Sequence, residues 1–270
     1  MRVVHGRAAL SMLLGAALGA FACVASAATV SLEQMTWPEV KQAIAEGKTT
    51  IIVPIGGTEQ SGPHMALGKH NVRVQVLAQR IASLLGNALV APVIAYVPEG
   101  NVDPPTGHMR FPGTISIPSS TFVSVLEGAG RSFRDAGFRD IVFIGDHGGY
   151  QRDLRTAAER LNREWRKTNV RAHAIEEYYR ATETVYRDAL KARGFRDDEI
   201  GKHAGVADTS LTLAIDPRLV RLDRMAAISG PESATGVQGD PRRSSADLGA
   251  IGVDAIVNAT VDAIRRAQRR

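Results

Sequence analysis

The stretch that decides the fold is Asp140–Gly149, which reads DIVFIGDHGG. Its apolar run, Ile141-Val142-Phe143-Ile144, is rich in β-branched residues and is typical of a strand buried on both faces. The run ends in Gly145 and is followed at once by Asp146, His147 and two glycines. A buried strand that leads polar side chains into a glycine-rich turn predicts a strand-to-helix connection of an α/β protein.

Strand and helix patterns alternate on both sides of this stretch. Short apolar runs predict further strands at 49–57, 88–97 and 170–174, and helical spacing predicts helices at 72–85, 119–137, from 150 onward, at 178–192 and at 252–266. This alternation favours an α/β fold with three layers, in which a mostly parallel sheet is flanked by helices. One domain spanning 28–270 is predicted, and its length is sufficient for a sizeable core.

The first 27 residues have the pattern of a secretory signal peptide. Arg2 and Arg7 precede an apolar run over 9–22, and Ala25-Ser26-Ala27 places small residues where a signal peptidase cleaves. A periplasmic or secreted protein is therefore expected. Two alternatives stay open, which are an uncleaved N-terminal anchor and a lipoprotein attached at Cys23.

Charge and cysteine content narrow the classes of partner. The formal charge of +5 includes Arg2 and Arg7, which leave with the predicted signal peptide, and many other arginines alternate with acidic residues. Solvated helix faces explain this pattern better than a nucleic-acid site. Cys23 is the single cysteine, so a mature chain would have no disulfide. We expect a small-molecule substrate, no nucleic acid and no stable membrane insertion.

The histidines concentrate where the predicted strands end. Of the seven in the chain, five lie in or beside glycine- or proline-rich loops, which are His64, His70, His108, His147 and His203. His173 instead alternates with apolar residues in a predicted strand, which indicates a structural role. Because ligands of open α/β sheets bind beyond the carboxyl ends of the strands, these loops are the candidate site.

The loop after the first strand places a carboxylate and two imidazoles close together. Glu59, His64 and His70 all lie within 56–71, which reads GGTEQSGPHMALGKHN. Carboxylate oxygens and neutral imidazole nitrogens suit a divalent metal. The spacing alone is weak evidence, and without a known pattern it favours an ordinary polar loop over a metal site.

Several blocks of this sequence resemble the creatininase (creatinine amidohydrolase) family. Family members carry Glu-x-His-Gly-Pro-His-Leu-Pro-Leu-x-Thr-Asp after the first strand, where this chain has its Glu59 loop. The family's other blocks, His-x-x-Phe-Pro-Gly-Thr, Asn-Gly-His-Gly-Gly-Asn and His-Ala-Gly-x-x-Glu-Thr-Ser, are similar to the segments at 108–114, 146–149 and 203–210. Residues 236–241 match a late family segment, and all blocks occur in order over about 35–265.

The resemblance implies a metal-dependent amidohydrolase that cleaves a non-peptide C–N bond, often in a cyclic amide, with a metal-activated water. This chain departs from the family at Ser61, which replaces a histidine ligand, at His70, which replaces the bridging aspartate, and at Asp208, which replaces a glutamate. We therefore expect one ion rather than two. Its predicted ligands are Glu59, His70, His147 and Asp208, and zinc is favoured over manganese or iron.

The remaining candidate catalytic residues are also histidines. His203 matches the active-site histidine of the family and is predicted to relay a proton to the leaving nitrogen. His64 and His108 could orient substrate or support the ligands, although a structural hydrogen bond explains each equally well. Creatinine-cleaving members of the family use tryptophans near the active site to cover the ring of the substrate. In this chain neither Trp37 nor Trp165 lies in the His203 block. Creatinine is therefore not the expected substrate.

Two other functions remain open at this point. The altered ligand set is compatible with a non-catalytic protein that binds a metal or small molecule on the same fold. A lactonase would use the same chemistry on an ester. The resemblance also implies a closed homo-oligomer, possibly a hexamer.

Overall fold

The computed structural model describes residues 29–269, so the predicted signal peptide lies outside the described residues. Four strands form one sheet, and they are Thr50–Ile55 (β1), Ala88–Val90 (β2), Asp140–Gly145 (β3) and Arg171–Ala174 (β4). Their order is β2-β1-β3-β4, and every pair is parallel. The predicted parallel sheet is confirmed.

Helices cover both faces of this sheet. They are Trp37–Ala45 (α1), Lys69–Leu85 (α2), Ser119–Ala136 (α3), Gln151–Glu164 (α4), Glu177–Ala181 (α5), Arg187–Lys191 (α6), Asp197–Ile200 (α7), Val206–Ile215 (α8), Leu222–Ala226 (α9), Glu232–Thr235 (α10) and Ala246–Gln268 (α11). A π-helical turn, Thr182–Tyr186, joins α5 to α6. Within residues 29–269, no helix combines the length and apolar character needed to cross a membrane.

The core has two halves, one on each face of the sheet. Ile52 of β1 packs toward α2, α5, α8 and α11, whereas its neighbours Ile51 and Val53 pack toward α1, α3 and α4. All six β1 residues are buried because the strand lies in the middle of the sheet with helices on both sides. The three-layer prediction is therefore confirmed.

The predicted elements differ from the observed ones mainly at their ends. β3 and the final turn of α3, which stops at Gly137 in a left-handed conformation, lie where the sequence predicts them. The second strand ends at Val90 instead of continuing to residue 97, since Ala91 is followed by Pro92, which has no N–H to donate to the ladder. The last helix begins six residues earlier than predicted, where the Ser245 side chain accepts from the N–H of Leu248.

Candidate metal centre

The candidate site lies at the carboxyl ends of β1 and β3. The chain passes from β1 to β2 on one side and later to β3 on the other, so the crevice between β1 and β3 is the switch point where open α/β sheets bind ligands. Asp146 and His147 follow β3 directly, and Glu59 follows β1. The buried hydroxyl of Tyr150 joins the two strand ends, because it donates to the carbonyl oxygens of Ile55 and Gly56 (2.9 and 2.5 Å).

Glu59 is the centre of the site. Its side chain is completely buried, and its Oε1 atom accepts a hydrogen bond from Nε2 of His70 at 2.8 Å. Burial alone would raise the pKa of Glu59, but His147, His70 and Lys69 hold it well below the usual range. The Oε2 atom has no hydrogen-bond donor among the described residues. A buried anionic oxygen without a donor is costly, so this atom is available to a cation.

Two imidazoles face that oxygen. Nε2 of His108 lies 3.2 Å from Oε2 of Glu59, and Nε2 of His147 lies 3.5 Å from the same atom. The potential ligand atoms of these three residues all lie within 4.8 Å of one another. Burial lowers the pKa of His147 to about 4, which keeps its imidazole neutral and able to bind a metal. The donor set and its spacing fit a divalent ion.

His70 lies beside this group but is engaged on both sides. Its Nε2 contacts Glu59, and its Nδ1 lies 2.5 Å from Oδ1 of Asp146. Asp146 in turn binds Nε of Arg73 at 2.8 Å and accepts from the hydroxyl of Tyr178 at 2.7 Å. His70 therefore bridges two buried carboxylates in this structure.

Asp208, at the start of α8, is held by two cations. Its Oδ1 accepts from Nη1 of Arg73 at 2.7 Å, and its Oδ2 contacts Nζ of Lys69. Burial would raise the pKa of Asp208, but Lys69 and Arg73 hold it well below its usual range. Of the four predicted ligands, the structure thus brings Glu59 and His147 together with His108, and it places His70 and Asp208 in ion pairs. The metal roles of the last two stay predictions.

His203 faces the site from the opposite wall. Its Nε2 donates to the carbonyl oxygen of Gln60 at 2.9 Å, which leaves Nδ1 directed toward Oε1 of Glu59 at 3.6 Å. The backbone of His203 is fixed by a bridge to Gln238. Burial lowers the pKa of His203 to about 3, so the ring is neutral, and with Nε2 donating to Gln60 its Nδ1 atom has a free lone pair. Its predicted role as a proton relay fits this orientation.

His64 lies behind this wall rather than in the cavity. Its Nε2 is 2.9 Å from Oγ1 of Thr209, and its side chain is completely buried. Thr209 also donates to the carbonyl oxygen of Ala204, directly after His203. His64 can therefore support the His203 segment, while its predicted catalytic role stays a prediction.

Glu99 also belongs to the site, although no sequence motif marks it. Both its carboxylate oxygens are buried without a hydrogen-bond donor among the described residues, and Oε2 lies 3.4 Å from Nδ1 of His147. Burial and the nearby charge of Glu59 raise its pKa to about 9. Gly57 permits this approach, because a Cβ atom there would lie 2.5 Å from Oε1 of Glu99. Its one sequence signal is its position in the proline- and glycine-containing polar loop, 98–111, that follows the predicted strand at 88–97.

A cavity of about 360 Å³, which is enough for a small molecule, is lined by His70, His108, His147, His203 and Asp208 of this site. Its walls combine the histidines with tyrosines and charged groups. The residues that extend the lining away from the metal cluster include Tyr178, Tyr179, Arg187, Lys202 and Leu211. A neutral His203 and a candidate metal group thus border one solvent-accessible space.

A parallel α/β fold with carboxylates and imidazoles at its switch point is the arrangement of an enzyme with a candidate metal centre. The family model named Creatininase, described as creatinine amidohydrolase, matches residues 33–264. The chain belongs to the creatininase family of hydrolases, and the sequence resemblance is confirmed.

Individual relatives differ in their substrates. The chain is 27% identical to creatinine amidohydrolase of Pseudomonas putida over 200 residues, which cover 73% of this chain and 76% of that protein. It is 30% identical to the mycofactocin precursor peptide peptidase of Mycolicibacterium smegmatis over 231 residues, which cover 81% and 85%. A solved mutant creatininase of Zn–Zn type is 27% identical, with a TM-score of 0.74, and the match covers 89% of this chain and 98% of that structure.

Proposed function

We propose that this protein is a metal-dependent amidohydrolase that cleaves a non-peptide C–N bond in a small molecule, such as a cyclic amide. The observation that carries the proposal is the buried Oε2 atom of Glu59, which has no donor among the described residues and faces the imidazoles of His108 and His147. We propose these three residues as the ligands of one divalent ion. Zinc suits a set of one carboxylate and two imidazoles with a position left open, and manganese or iron is also compatible.

A bound divalent ion would lower the pKa of a water molecule to about 7 and polarise the carbonyl group of a substrate. The protein's own residues then supply orientation and proton transfer. Nδ1 of His203 faces the cavity as a neutral acceptor, so it can take a proton and deliver it to the leaving nitrogen. Because this nitrogen lies beside Glu59, the proton acceptor and the proposed ligands border the same substrate position.

Assays of turnover distinguish the proposed amidohydrolase from two alternatives. A non-catalytic binding protein would hold the metal and a ligand without releasing product, and a lactonase would prefer esters to amides. The peptidase among the relatives makes a peptide amide the third class to test. A panel of cyclic amides, lactones and short peptides, assayed with metal-loaded protein, distinguishes these possibilities, and no turnover of any class would favour the binding protein.

Substitution of Glu59 is the direct test of the centre. Glu59→Gln removes the anionic ligand, so we expect loss of the bound ion by elemental analysis and at least a roughly thousandfold loss of activity. His203→Asn should instead retain the ion and lose roughly a hundredfold or more in turnover.

Glu159→Gln is the matched control, because Glu159 is exposed and forms no ion pair within the described residues. It should retain both metal and activity. Circular dichroism checks that each variant is folded. A Glu59→Gln protein with the metal content and activity of the wild type would contradict the proposal.

We also propose that the first 27 residues direct export and are then removed, and that the mature protein forms a closed homo-oligomer, possibly a hexamer. The first proposal is supported by the charged, apolar and small-residue segments of the N-terminus. The second rests on the resemblance and on the prevalence of closed symmetry.

A further inference from the structure

The ammonium group of Lys69 is buried inside the candidate centre. Lys69 is the first residue of α2 and is 1% exposed. Its Nζ atom contacts Oδ2 of Asp208 and lies 3.9 Å from Oε1 of Glu59. A lysine is almost never fully buried unless it is paired, because the desolvation of its charge costs several kcal/mol. Here the lysine links a proposed metal ligand to the carboxylate of α8.

Lys69 and Arg73 are paired with Asp146 and Asp208, two carboxylates that a second metal ion could otherwise use. Oδ1 of Asp208 accepts a hydrogen bond from Arg73, and Oδ2 accepts from both Lys69 and the backbone N–H of Ala204. Oδ1 of Asp146 accepts a hydrogen bond from Arg73 and also contacts His70. Within the described residues, no oxygen of these two carboxylates is directed at an open ligand position.

The balance of charge favours one ion. Three carboxylates (Glu59, Asp146 and Asp208) contact the two fixed cations Lys69 and Arg73, so this group has one net negative charge. Glu99 lies at the other ring nitrogen of His147 and contacts neither cation among the described residues. A single divalent ion would leave one positive charge, whereas a second would leave three positive charges in a largely buried site. Two divalent ions about 4 Å apart need carboxylates to offset their repulsion, and here Asp146 and Asp208 are already paired with Arg73 and Lys69.

The sequence difference lies at the same place. The family motif has threonine and aspartate where this chain has Lys69 and His70, and a solved relative is of Zn–Zn type. We propose that the ammonium of Lys69 serves as a built-in cation in place of a second metal ion, and that it fixes the stoichiometry at one ion per chain. This inference rests on the proposed function, since it takes Glu59, His108 and His147 as the ligands of the first ion.

Metal titration of the purified full chain tests the inference without an activity assay. Wild-type protein should bind one Zn²⁺ or Co²⁺ per chain by calorimetry and elemental analysis. Lys69→Met removes the charge and retains most of the side-chain volume, so a second ion should bind roughly a hundredfold or more tightly than to the wild type. Lys69→Arg keeps the charge and should hold one ion.

Lys202→Met is the matched control, because it removes the same charge from the cavity wall at a residue with no carboxylate partner among those described. It should still bind one ion. Two tight ions in the wild type, or one ion in a folded Lys69→Met protein, would overturn the role of Lys69 and leave the hydrolase proposal standing. If Lys69→Met does not fold, two tight ions in the wild type would still overturn the inference, and Lys69→Arg, which keeps the charge, should still bind one ion. A wild type that binds no ion would overturn the proposed function itself, and this inference with it.

Discussion

His64 shows how burial alone sets the charge of a side chain. Its imidazole is completely buried, and desolvation lowers its pKa from 6.5 to about 4. The folded protein therefore keeps His64 neutral at pH 5, whereas the unfolded chain takes up a proton near pH 6.5. Between these two values the unfolded state binds more protons, so the free energy of unfolding falls as the pH falls.

We predict that His64→Asn weakens this pH dependence. On going from pH 7 to pH 5, the wild type should lose roughly 2 kcal/mol more of its free energy of unfolding than the variant does, because the variant has no imidazole to protonate. Urea unfolding at the two pH values measures the difference. Equal losses in both proteins would show that His64 titrates normally in the folded state.

Some residues of the site can be predicted from the sequence, and others cannot. Glu59 and His147 can be predicted because a carboxylate and a histidine follow predicted strands, and the structure places them together. Lys69 cannot, since a lysine in a polar loop is ordinarily solvated. It is buried because α8 brings Asp208 to it from 139 residues away in the chain. No local pattern contains that contact.

At the scale of elements, α8 is positioned by α11. Gly249 of α11 lies against the backbone of α8, and a Cβ atom there would lie 1.9 Å from the carbonyl oxygen of Ser210. The two helices can therefore pack this closely only if residue 249 has no side chain. Because α8 carries Asp208, this contact also sets the wall of the cavity.

We predict that Gly249→Ala destabilises the protein by about 2–3 kcal/mol or more, because α11 must move away from α8. Gly128→Ala is the matched control, since Gly128 lies in α3 with nothing within 4 Å of the added methyl group. That variant should be unchanged or up to about 1 kcal/mol more stable through helix propensity. Urea unfolding of both variants tests the contrast, and equal stabilities would contradict it.

Elements whose apolar residues follow one clear pattern can be predicted from the sequence, whereas α8 cannot. β3 and α4 combine a short apolar run with an amphipathic stripe, and both lie where these patterns indicate. Val206–Ile215 is different, because six of its ten residues are buried, including Thr209, Ser210 and Thr212. A helix that is packed on most of its surface has no polar face, so no stripe marks it in the sequence.

For the whole molecule, we predict that protein from the native host is a closed oligomer of chains that begin at Ala28. Mass spectrometry should give the mass of residues 28–270, and light scattering on the same sample should give a multiple of it. The signal pattern and the common preference for closed symmetry are the reasons. A full-length chain, or a monomer at micromolar concentration, would contradict the corresponding part.

The bond between the side chain of Gln60 and the carbonyl oxygen of Gly236 joins residues that are 176 positions apart. Gln60 also contacts His108 and His203, so residues from the first strand loop to the last loop before α11 meet around one amide. Contacts between residues so far apart in the chain form slowly, because the conformational entropy of the intervening chain is lost before the contacts can stabilise it. A growing chain on the ribosome therefore cannot complete the contacts around Gln60 until Gly236, near the end of the sequence, has been added.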